Sequence, residues 1–368
     1  MNGKICADHI RKIREELKKA NADCFFAFSG SNINYSSGCH IGPSDRLASV
    51  IIPLEGDIAI ISPAFEGDRM RKEKLTGEVF VWEEDEDPFE LVESLFQKMM
   101  LKKACVAVDD TLWFRVYERM RNDSPDINWI NGENIIKKAR WRKSEDELQL
   151  MEKACEIAVK GMELAIKEFK SGMTELDFSS IVSEKIYETG RVQGGALVQS
   201  GPNASFPHNP TTKRLMQNGD AVVLDFGCMY EGYCADISRT LMVGAVSDEV
   251  KKCWQINKDA QQTAIDSVKP GVTCESIDRA ARDYIEKKGY GKYFLHRTGH
   301  GIGMDGHEHP YIVNGNKEIL EPGMCFTIEP GIYVANKFGM RIEDDIAVTE
   351  SGSRLLSRMK KDWTVSIL

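Results

Sequence analysis

The sequence lacks a long apolar run and lacks an excess of basic residues. No segment approaches the roughly eighteen apolar residues that a transmembrane helix needs, and residues 1–9 contain no apolar core of an export signal. The 48 Lys and Arg residues are outnumbered by 57 Asp and Glu residues, so no basic stripe is available to meet nucleic-acid phosphates. We therefore expect a cytoplasmic protein that binds neither membranes nor nucleic acids.

Paired cysteine motifs are also missing. The ten cysteines include no C-x-x-C pair and are scattered through apolar segments such as residues 22–26. Such cysteines are typical of reduced, buried thiols in a cytosolic protein. This pattern argues against a disulfide framework as the basis of the fold.

What the sequence does contain is the composition of a soluble globular protein, with 42% hydrophobic and 29% charged residues. A length of 368 residues is long for one hydrophobic core and favours two domains. Residues 1–138 alternate predicted helices and strands, which indicates a mixed sheet surrounded by helices. In this part His9 and His40 are isolated, and Asp109 with Asp110 is typical of a helix N-cap.

A basic stretch at residues 137–144 marks the predicted boundary between domains 1–138 and 139–368. We interpret this stretch as a solvated hinge. Ser144 and Glu147 then have the spacing of a capping box at the start of a long helix.

The second domain contains a faint internal repeat. A Gly-x-Thr motif opens a predicted helix at Gly172 and again at Gly271, an offset of 99 residues (271 − 172). The same offset carries His208 onto His307. Each half is predicted to contain two helices, strands, a histidine and a pair of acids. We interpret the pattern as a duplicated unit with its ligands around a pseudo-two-fold axis.

Histidines and acids cluster in this second domain. Four of the seven histidines lie within fourteen residues of one another: His296, His300, His307 and His309. Two pairs of acids lie beside apolar, strand-like segments: Asp225 with Asp236, and Glu329 with Glu343. Burying an acid in such a segment costs several kcal/mol unless the acid is paired or binds a metal. The spacing across a predicted hairpin at residues 231–232 lets the first pair converge on one side of a sheet.

Four strand-borne acids and His300 form an oxygen-rich set of donors. This set favours hard divalent ions such as Mn²⁺, with Co²⁺, Fe²⁺ or Zn²⁺ as alternatives. Two cations about 3.5–4 Å apart and bridged by carboxylates can hold and deprotonate a water for hydrolysis. The alternative for any single acid is a turn cap or an ion pair with Arg239 or Arg341. The five residues taken together favour a two-metal hydrolase.

The order of these residues resembles that of the pita-bread metallopeptidases, the family of methionine aminopeptidase, aminopeptidase P, prolidase and the metal-free creatinase. The resemblance covers the whole chain and implies an α+β fold. In that fold a smaller α/β creatinase-type N-terminal domain precedes a duplicated pita-bread catalytic domain. The complete ligand set differs from creatinase, and the N-terminal domain differs from methionine aminopeptidase. The resemblance therefore indicates the Xaa-Pro peptidase branch, either prolidase or aminopeptidase P.

The resemblance also implies roles for the metal ligands. Asp225 would bind one metal ion, and His300 and Glu329 would bind the other. Asp236 and Glu343 would bridge both ions, with a hydroxide between them. Glu329 would also act as the proton shuttle.

Further residues would surround these ligands by the same resemblance. His208 and His307 would contact the substrate, with His307 hydrogen-bonded to the scissile carbonyl, and His296 would line the pocket. Arg341 and Ser238 would support the carboxylates from behind. Short proline-containing peptides are the implied substrates, and a homodimer is the implied assembly.

The sequence leaves the peptide length open. Many prolidases carry an arginine shortly after the second catalytic histidine, which grips the carboxylate of a dipeptide. Here that stretch has no arginine and has Tyr311, which we include among the substrate-binding candidates. The difference favours longer peptides, or a carboxylate held by another residue. Gly306 and His309 also depart from the family pattern, so a different small amide or osmolyte-type substrate is an alternative. A non-catalytic binding protein would be expected to have lost the ligands.

Overall fold

The computed structural model describes residues 1–28, 30–42, 44–170 and 172–365. The chain divides into two compact units, Met1–Arg140 and Trp141–Leu368. No helix within the described ranges is both long enough and apolar enough to cross a membrane.

The first unit is built from alternating helices and strands. Its helices are α1 (Gly3–Ala20), α2 (Gly30–Ser37), α3 (Ala64–Glu73), α4 (Pro88–Lys98), α5 (Phe114–Asp123) and α6 (Glu133–Trp141). Its strands are β1 (Cys24–Ala27), β2 (Ser49–Pro53), β3 (Ala59–Pro63), β4 (Glu78–Trp82), β5 (Cys105–Val108) and β6 (Asn128–Asn131).

These strands form one sheet in the order β4-β3-β2-β1-β5-β6. Strand β2 is antiparallel to both of its neighbours, and the other pairs are parallel. The predicted mixed sheet is therefore confirmed. Apolar side chains of the sheet and of α4 and α5 form a buried cluster that includes Phe26, Ile61 and Phe96. Complete burial of each such side chain contributes about 1.5–3 kcal/mol.

Two local predictions in the first unit were wrong, and one helix was not predicted. Helix α2 was not predicted, because its Ser and Asn residues have low helix propensity. Helix α6 continues through residues 137–141, which we had interpreted as a hinge. Asp109 is not an N-cap. It is buried, and its carboxylate accepts hydrogen bonds from Phe28 N (3.0 Å) and Asn32 Nδ2 (2.8 Å).

The second unit contains four α-helices in its described residues, all of which begin at a side-chain cap. They are α7 (Glu145–Lys167), α8 (Glu175–Gly190), α9 (Asp248–Ser267) and α10 (Cys274–Lys287). Short 3-10 helices lie at Gly201–Ser205 and Gly291–Tyr293. The predicted capping box is confirmed, since Ser144 N donates to the Glu147 carboxylate (2.8 Å) and Ser144 Oγ accepts from Glu147 N (3.4 Å).

The strands described in the second unit form three sheets. They are β7 (Gly194–Ser200), β8 (Ala221–Tyr230), β9 (Tyr233–Val243), β10 (Gly299–Gly301), β11 (Glu308–Ile312), β12 (Cys325–Ile328), β13 (Gly331–Val334), β14 (Phe338–Arg341), β15 (Asp344–Val348), β16 (Ser353–Leu355) and β17 (Trp363–Val365). The sheet orders are β17-β9-β8-β7, β11-β10-β12-β15-β16 and β13-β14.

The second unit is visibly duplicated. Helix α7 packs against α8, and α9 packs against α10. Thr174 and Thr273, which are 99 residues apart, cap α8 and α10 and form isolated antiparallel bridges to Leu215 and Ile319. Apolar side chains of α9 and α10 form one buried cluster with those of β12 to β15. The repeat predicted from sequence spacing is thus present in the fold.

Candidate metal centre

The predicted site residues surround a cavity of about 340 Å³ in the second unit. Its lining comprises the five predicted ligands, three histidines and two arginines: Asp225, Asp236, His300, Glu329, Glu343, His208, His296, His307, Arg297 and Arg341. The structure therefore brings together nearly all of the predicted residues. Arg297 was not predicted.

The β8–β9 hairpin positions the first two acids. Asp236 pairs across the hairpin with Gly227, which lies two residues after Asp225, so both carboxylates project from the same face. The turn lies at Glu231 and Gly232, which have φ values of 49° and 86°, as the sequence predicted. A Cβ at residue 227 would overlap the carbonyl oxygen of Ala235, so glycine allows the close approach of the two strands.

Glu329 and Glu343 are held differently from the first pair. Both were predicted to be strand-borne, and this was wrong: Glu329 follows β12, and Glu343 lies between β14 and β15. The backbone N–H of Glu329 donates to the carbonyl oxygen of Thr298 (2.7 Å). The backbone N–H of Glu343 donates to Ser238 O (3.0 Å). The second pair therefore depends on contacts that are distant in sequence.

His300 lies in β10 between Gly299 and Gly301. A Cβ at residue 299 would overlap the carbonyl oxygen of Thr327, so this short strand requires glycine. His300 Nδ1 lies 3.1 Å from the carbonyl oxygen of Gly301. Because a carbonyl oxygen can only accept, Nδ1 carries the proton and Nε2 directs its lone pair away from the strand.

The lone pair of His300 Nε2 faces the acids. His300 Nε2 lies 3.4 Å from Glu329 Oε1 and 3.9 Å from Asp236 Oδ2. Three groups of side chains have ligand atoms within 4.8 Å of one another: Asp225, Asp236 and Glu343; His300, Glu329 and Glu343; and Asp236, His300 and His307. Glu343 is common to the first two groups. This overlap is the arrangement expected around two neighbouring ions.

The charge balance of the cluster also fits a metal. Burial and the charge of Glu343 raise the pKa values of Asp236 and Glu329 well above their usual range. Burial and the charge of Asp225 raise the pKa of Glu343 to about 7. Carboxylates this close cannot all ionise without a counter-charge. Divalent cations supply that counter-charge, so the donor set fits metal ions.

Arg341 neutralises only part of this charge. Its buried guanidinium donates to Asp225 Oδ2 (2.7 Å) and, through Nε, to Ser238 Oγ (2.8 Å). The Ser238 hydroxyl in turn donates to Glu343 Oε2 (2.6 Å). Arg239 pairs with the buried Asp344 carboxylate (2.6 Å) and donates to the backbone carbonyl oxygen of Glu343 (2.6 Å).

Tyr333 is a residue that sequence reasoning missed. Its hydroxyl accepts a hydrogen bond from Arg341 Nη1 (3.0 Å) and lies 3.0 Å from His296 Nε2. His296 Nδ1 lies 2.7 Å from the carbonyl oxygen of Arg297, so Nδ1 is the protonated nitrogen. Burial lowers the pKa of His296 to about 4, which keeps this ring neutral. Both ring nitrogens are therefore engaged by the protein, and His296 can only line the cavity.

The tautomer of His307 follows from its partner. Arg297 Nη2 lies 3.1 Å from His307 Nδ1, and a guanidinium can only donate. Nδ1 is therefore the acceptor, and a neutral ring carries its proton on Nε2. Burial and the charge of Arg297 lower the pKa of His307, in agreement with a neutral ring. The His307 ring stacks on His300 with centroids 3.7 Å apart.

Among the remaining candidates, His208 lines the cavity, whereas Tyr311 and His309 are not among its lining residues. His208 follows the 3-10 helix Gly201–Ser205, and its side chain is exposed. Tyr311 pairs with His300 in the β10–β11 ladder, and its ring lies 4.3 Å below the guanidinium of Arg297. His309 is partly buried against Tyr311, with ring centroids 4.6 Å apart.

A cavity that gathers four carboxylates around an imidazole is typical of metal-dependent hydrolases. Comparison with protein families gives the same class. The model of "Metallopeptidase family M24" matches residues 149–350, and that of "Creatinase/Prolidase N-terminal domain" matches residues 9–141. The chain belongs to metallopeptidase family M24.

Individual relatives indicate which branch of the family the chain resembles. The chain is 33% identical over 366 residues to an Xaa-Pro dipeptidase of Lactobacillus helveticus, covering 97% of this chain and 98% of the relative. A crystal structure of prolidase from Thermococcus sibiricus has a TM-score of 0.89 and 34% identity, covering 97% of this chain and 98% of that chain. Dipeptidase PepE from Mycobacterium ulcerans has a TM-score of 0.91 and 30% identity, covering 100% of both chains.

These similarities confirm three predictions made from the sequence. The chain falls in the Xaa-Pro peptidase branch of the family. Its fold is a duplicated pita-bread domain preceded by a creatinase-type domain. It is a metallopeptidase that uses divalent metal ions. The roles of the individual site residues stay predictions.

Proposed function

We propose that this protein hydrolyses the bond between an N-terminal residue and a following proline in short peptides, using two divalent metal ions. The observation that carries the proposal is the single cavity in which the five ligand candidates meet two further histidines, His208 and His307. The names of the relatives, Xaa-Pro dipeptidase and prolidase, support the choice of bond.

In this proposal Asp225 would hold one ion, and His300 with Glu329 would hold the other. Asp236 and Glu343 would contribute to both ions, and Glu343 belongs to two of the candidate ligand groups. Bound divalent cations would supply Lewis acidity and activate water for attack on a carbonyl. Four carboxylates against one imidazole favour Mn²⁺, with Co²⁺, Fe²⁺ or Zn²⁺ as alternatives.

His307 provides the hydrogen bond to the scissile carbonyl in this scheme. Since its Nδ1 accepts from Arg297, its Nε2–H is free to donate. That donor would stabilise the negative charge that develops on the carbonyl oxygen. The same tautomer argues against His307 as a metal ligand through Nε2, because that nitrogen already carries a proton.

Glu329 and His208 are the remaining residues to which we assign a role in the reaction. Glu329 would act as the proton shuttle, taking up a proton from the attacking water and delivering it to the departing proline nitrogen. His208 has an exposed imidazole at the cavity, where it can bind the substrate backbone. We also assign residues 1–138 and 139–368 to separate domains of a cytoplasmic homodimer. The free state of all ten cysteines supports a reducing compartment.

Hydrolysis of Gly-Pro and Arg-Pro-Pro with Mn²⁺, beside a chelated control and Gly-Ala, tests the proposal. We expect metal-dependent cleavage at the Xaa-Pro bond and little cleavage of Gly-Ala. Absence of cleavage of both proline peptides by metal-loaded protein would contradict it, and a screen of other small amides would then test the alternative substrate class. Size-exclusion chromatography with light scattering would test the homodimer.

A further inference from the structure

We infer that Arg297 binds the C-terminal carboxylate of a dipeptide substrate and thereby makes the enzyme a dipeptidase. This inference rests on the proposed Xaa-Pro hydrolysis. It assigns a specificity-determining role to a residue that precedes His300, whereas the stretch after His307 contains no arginine.

The first argument is that the guanidinium of Arg297 faces the cavity without an acidic partner. Arg297 lines the cavity, and among the described residues it forms no ion pair with Asp or Glu. Its contacts are His307 Nδ1 and the ring of Tyr311. By contrast, the second arginine of the cavity, Arg341, donates directly to Asp225. A guanidinium presents a planar fork of donors that matches a carboxylate.

The second argument is distance. Arg297 contacts Nδ1 of the same imidazole whose Nε2–H would meet the scissile carbonyl. In a dipeptide, one residue, at most about 3.3–3.6 Å long, separates that carbonyl from the carboxylate. The guanidinium therefore lies next to the imidazole that would contact the reacting bond. The carboxylate of a tripeptide would lie a residue further away.

The third argument is that Arg297 is held in place. The Tyr311 ring lies 4.3 Å from its Cζ, and a cation over an aromatic face is attracted to it. The adjoining backbone is anchored to α10, because Thr298 Oγ1 donates to Asp278 Oδ1 (2.8 Å) and Arg282 Nη2 donates to His296 O (2.8 Å). A side chain fixed before the substrate arrives loses less entropy on binding.

The fourth argument is charge. The four cavity carboxylates and two guanidiniums sum to a formal −2; two divalent ions would add +4 and the bound hydroxide −1, which leaves +1. A metal-loaded cavity with surplus positive charge attracts an anionic substrate. A free dipeptide carboxylate supplies that charge next to the reacting bond, and a peptide amide does not.

The test compares kcat/KM for Gly-Pro with kcat/KM for Gly-Pro amide. The wild-type protein should prefer the free acid, and Arg297→Gln should reduce that preference by about 10- to 100-fold, the usual worth of a charge-assisted hydrogen bond. Glutamine keeps an N–H donor for His307. Any effect on His307 acts on both substrates and cancels in the ratio.

Two further variants complete the design. Arg297→Lys keeps the charge without the fork and should retain part of the preference. Lys317→Gln is the matched control, because this lysine pairs with Glu275 and does not line the cavity. Its ratio should equal that of the wild type. Circular dichroism and metal content establish that each variant is folded and loaded.

The outcomes separate this inference from the proposed function. If neither Gly-Pro nor its amide is cleaved by the wild type, the proposed function fails. If the wild type cleaves both but does not prefer the acid, or if Arg297→Gln leaves the preference unchanged, the role of Arg297 is overturned. Calorimetric titration of the reduced-bond analogue of Gly-Pro, as acid and as amide, measures the same preference without turnover.

Discussion

In the first half of the duplicated unit, Asp225 and Asp236 lie within one continuous hairpin, and its register alone places both carboxylates on one face. In the second half, Glu329 and Glu343 lie outside the strands, on either side of the hairpin formed by β13 and β14. That hairpin carries Tyr333 and Arg341, which brace the site from behind. The same repeat therefore positions its acids locally in one half and through long-range contacts in the other.

The difference shows how the second half depends on the first. Glu343 is hydrogen-bonded through both its backbone N–H and its carboxylate to Ser238, which belongs to β9 of the first half. A Cβ at Gly339 in β14 would overlap the carbonyl oxygen of Ala204, so the hairpin also approaches the first half closely. The hairpin β8–β9 therefore helps to position Glu343 of the second half through the hydrogen bonds of Ser238.

The largest effect on metal content and activity should come from removing an acid that is proposed to contribute to both ions. Glu343→Ala and Asp236→Ala should each lose bound metal and Xaa-Pro hydrolysis together, because Glu343 belongs to two groups of candidate ligands and Asp236 is proposed to contribute to both ions. Metal content by emission spectrometry and hydrolysis at saturating Mn²⁺ would measure this. Glu350→Ala, which removes an exposed acid of the same half, is the control. Two ions per chain retained in either variant would contradict the bridging role.

The two histidines related by the repeat offer a second comparison. His307→Ala should retain metal and lower kcat by about 10²–10³-fold, the usual cost of removing a hydrogen-bond donor from a developing oxyanion. His208→Ala should cost less, because the His208 side chain is exposed. Steady-state kinetics beside metal analysis would check both. Loss of metal from His307→Ala would show that His307 is a ligand.

Ser238→Ala tests whether the second half needs the first. The substitution removes the hydroxyl that joins Arg341 to Glu343, and loss of such a supporting contact typically weakens metal binding about 10- to 100-fold. Competition with a fluorescent chelator would measure the metal Kd. Ser353→Ala, at an exposed serine of β16, is the control. Equal affinity in the two variants would mean that the two halves hold metal independently.

The smallest expected effect is on the thermal stability of the metal-free protein. Burial and neighbouring charge raise the pKa of Glu343 from 4.5 to about 7. Between these values the folded state binds more protons than the unfolded state, so stability should fall as pH rises through this window. The Tm of chelated protein should therefore be lower at pH 8 than at pH 5.5. Mn²⁺ should reduce this difference, since metal binds the ionised carboxylates, and a Tm that rises with pH after chelation would contradict the assignment.

The sequence predicted those parts of the site that depend on short-range rules. Asp225 ends an apolar run and lies a hairpin away from Asp236, so their convergence follows from strand alternation. The capping box at Ser144 and Glu147 likewise needs only its spacing. The ligand candidates met in one cavity because their surroundings are apolar and an isolated charge there is costly.

Other features could not be predicted because they depend on tertiary contacts. Tyr333 has no motif, and only the fold brings its hydroxyl between Arg341 and His296. The position of Arg297 beside His300 was visible in the sequence, but whether its side chain faces the cavity depends on the ladder that places Tyr311 beneath it. In the first unit, α2 forms despite its weak propensity because tertiary packing buries it.

The hydrogen bonds behind the candidate metal ligands run in one direction. Arg341 donates to the Tyr333 hydroxyl, which donates to His296 Nε2, and His296 Nδ1 donates to the carbonyl oxygen of Arg297. Every acceptor in this series is filled, and the last one, a peptide carbonyl, has no proton to pass on. This series of hydrogen bonds therefore provides no path along which a proton could leave the site. We therefore expect protons to enter and leave through the open side of the cavity, where His208 and His307 are exposed.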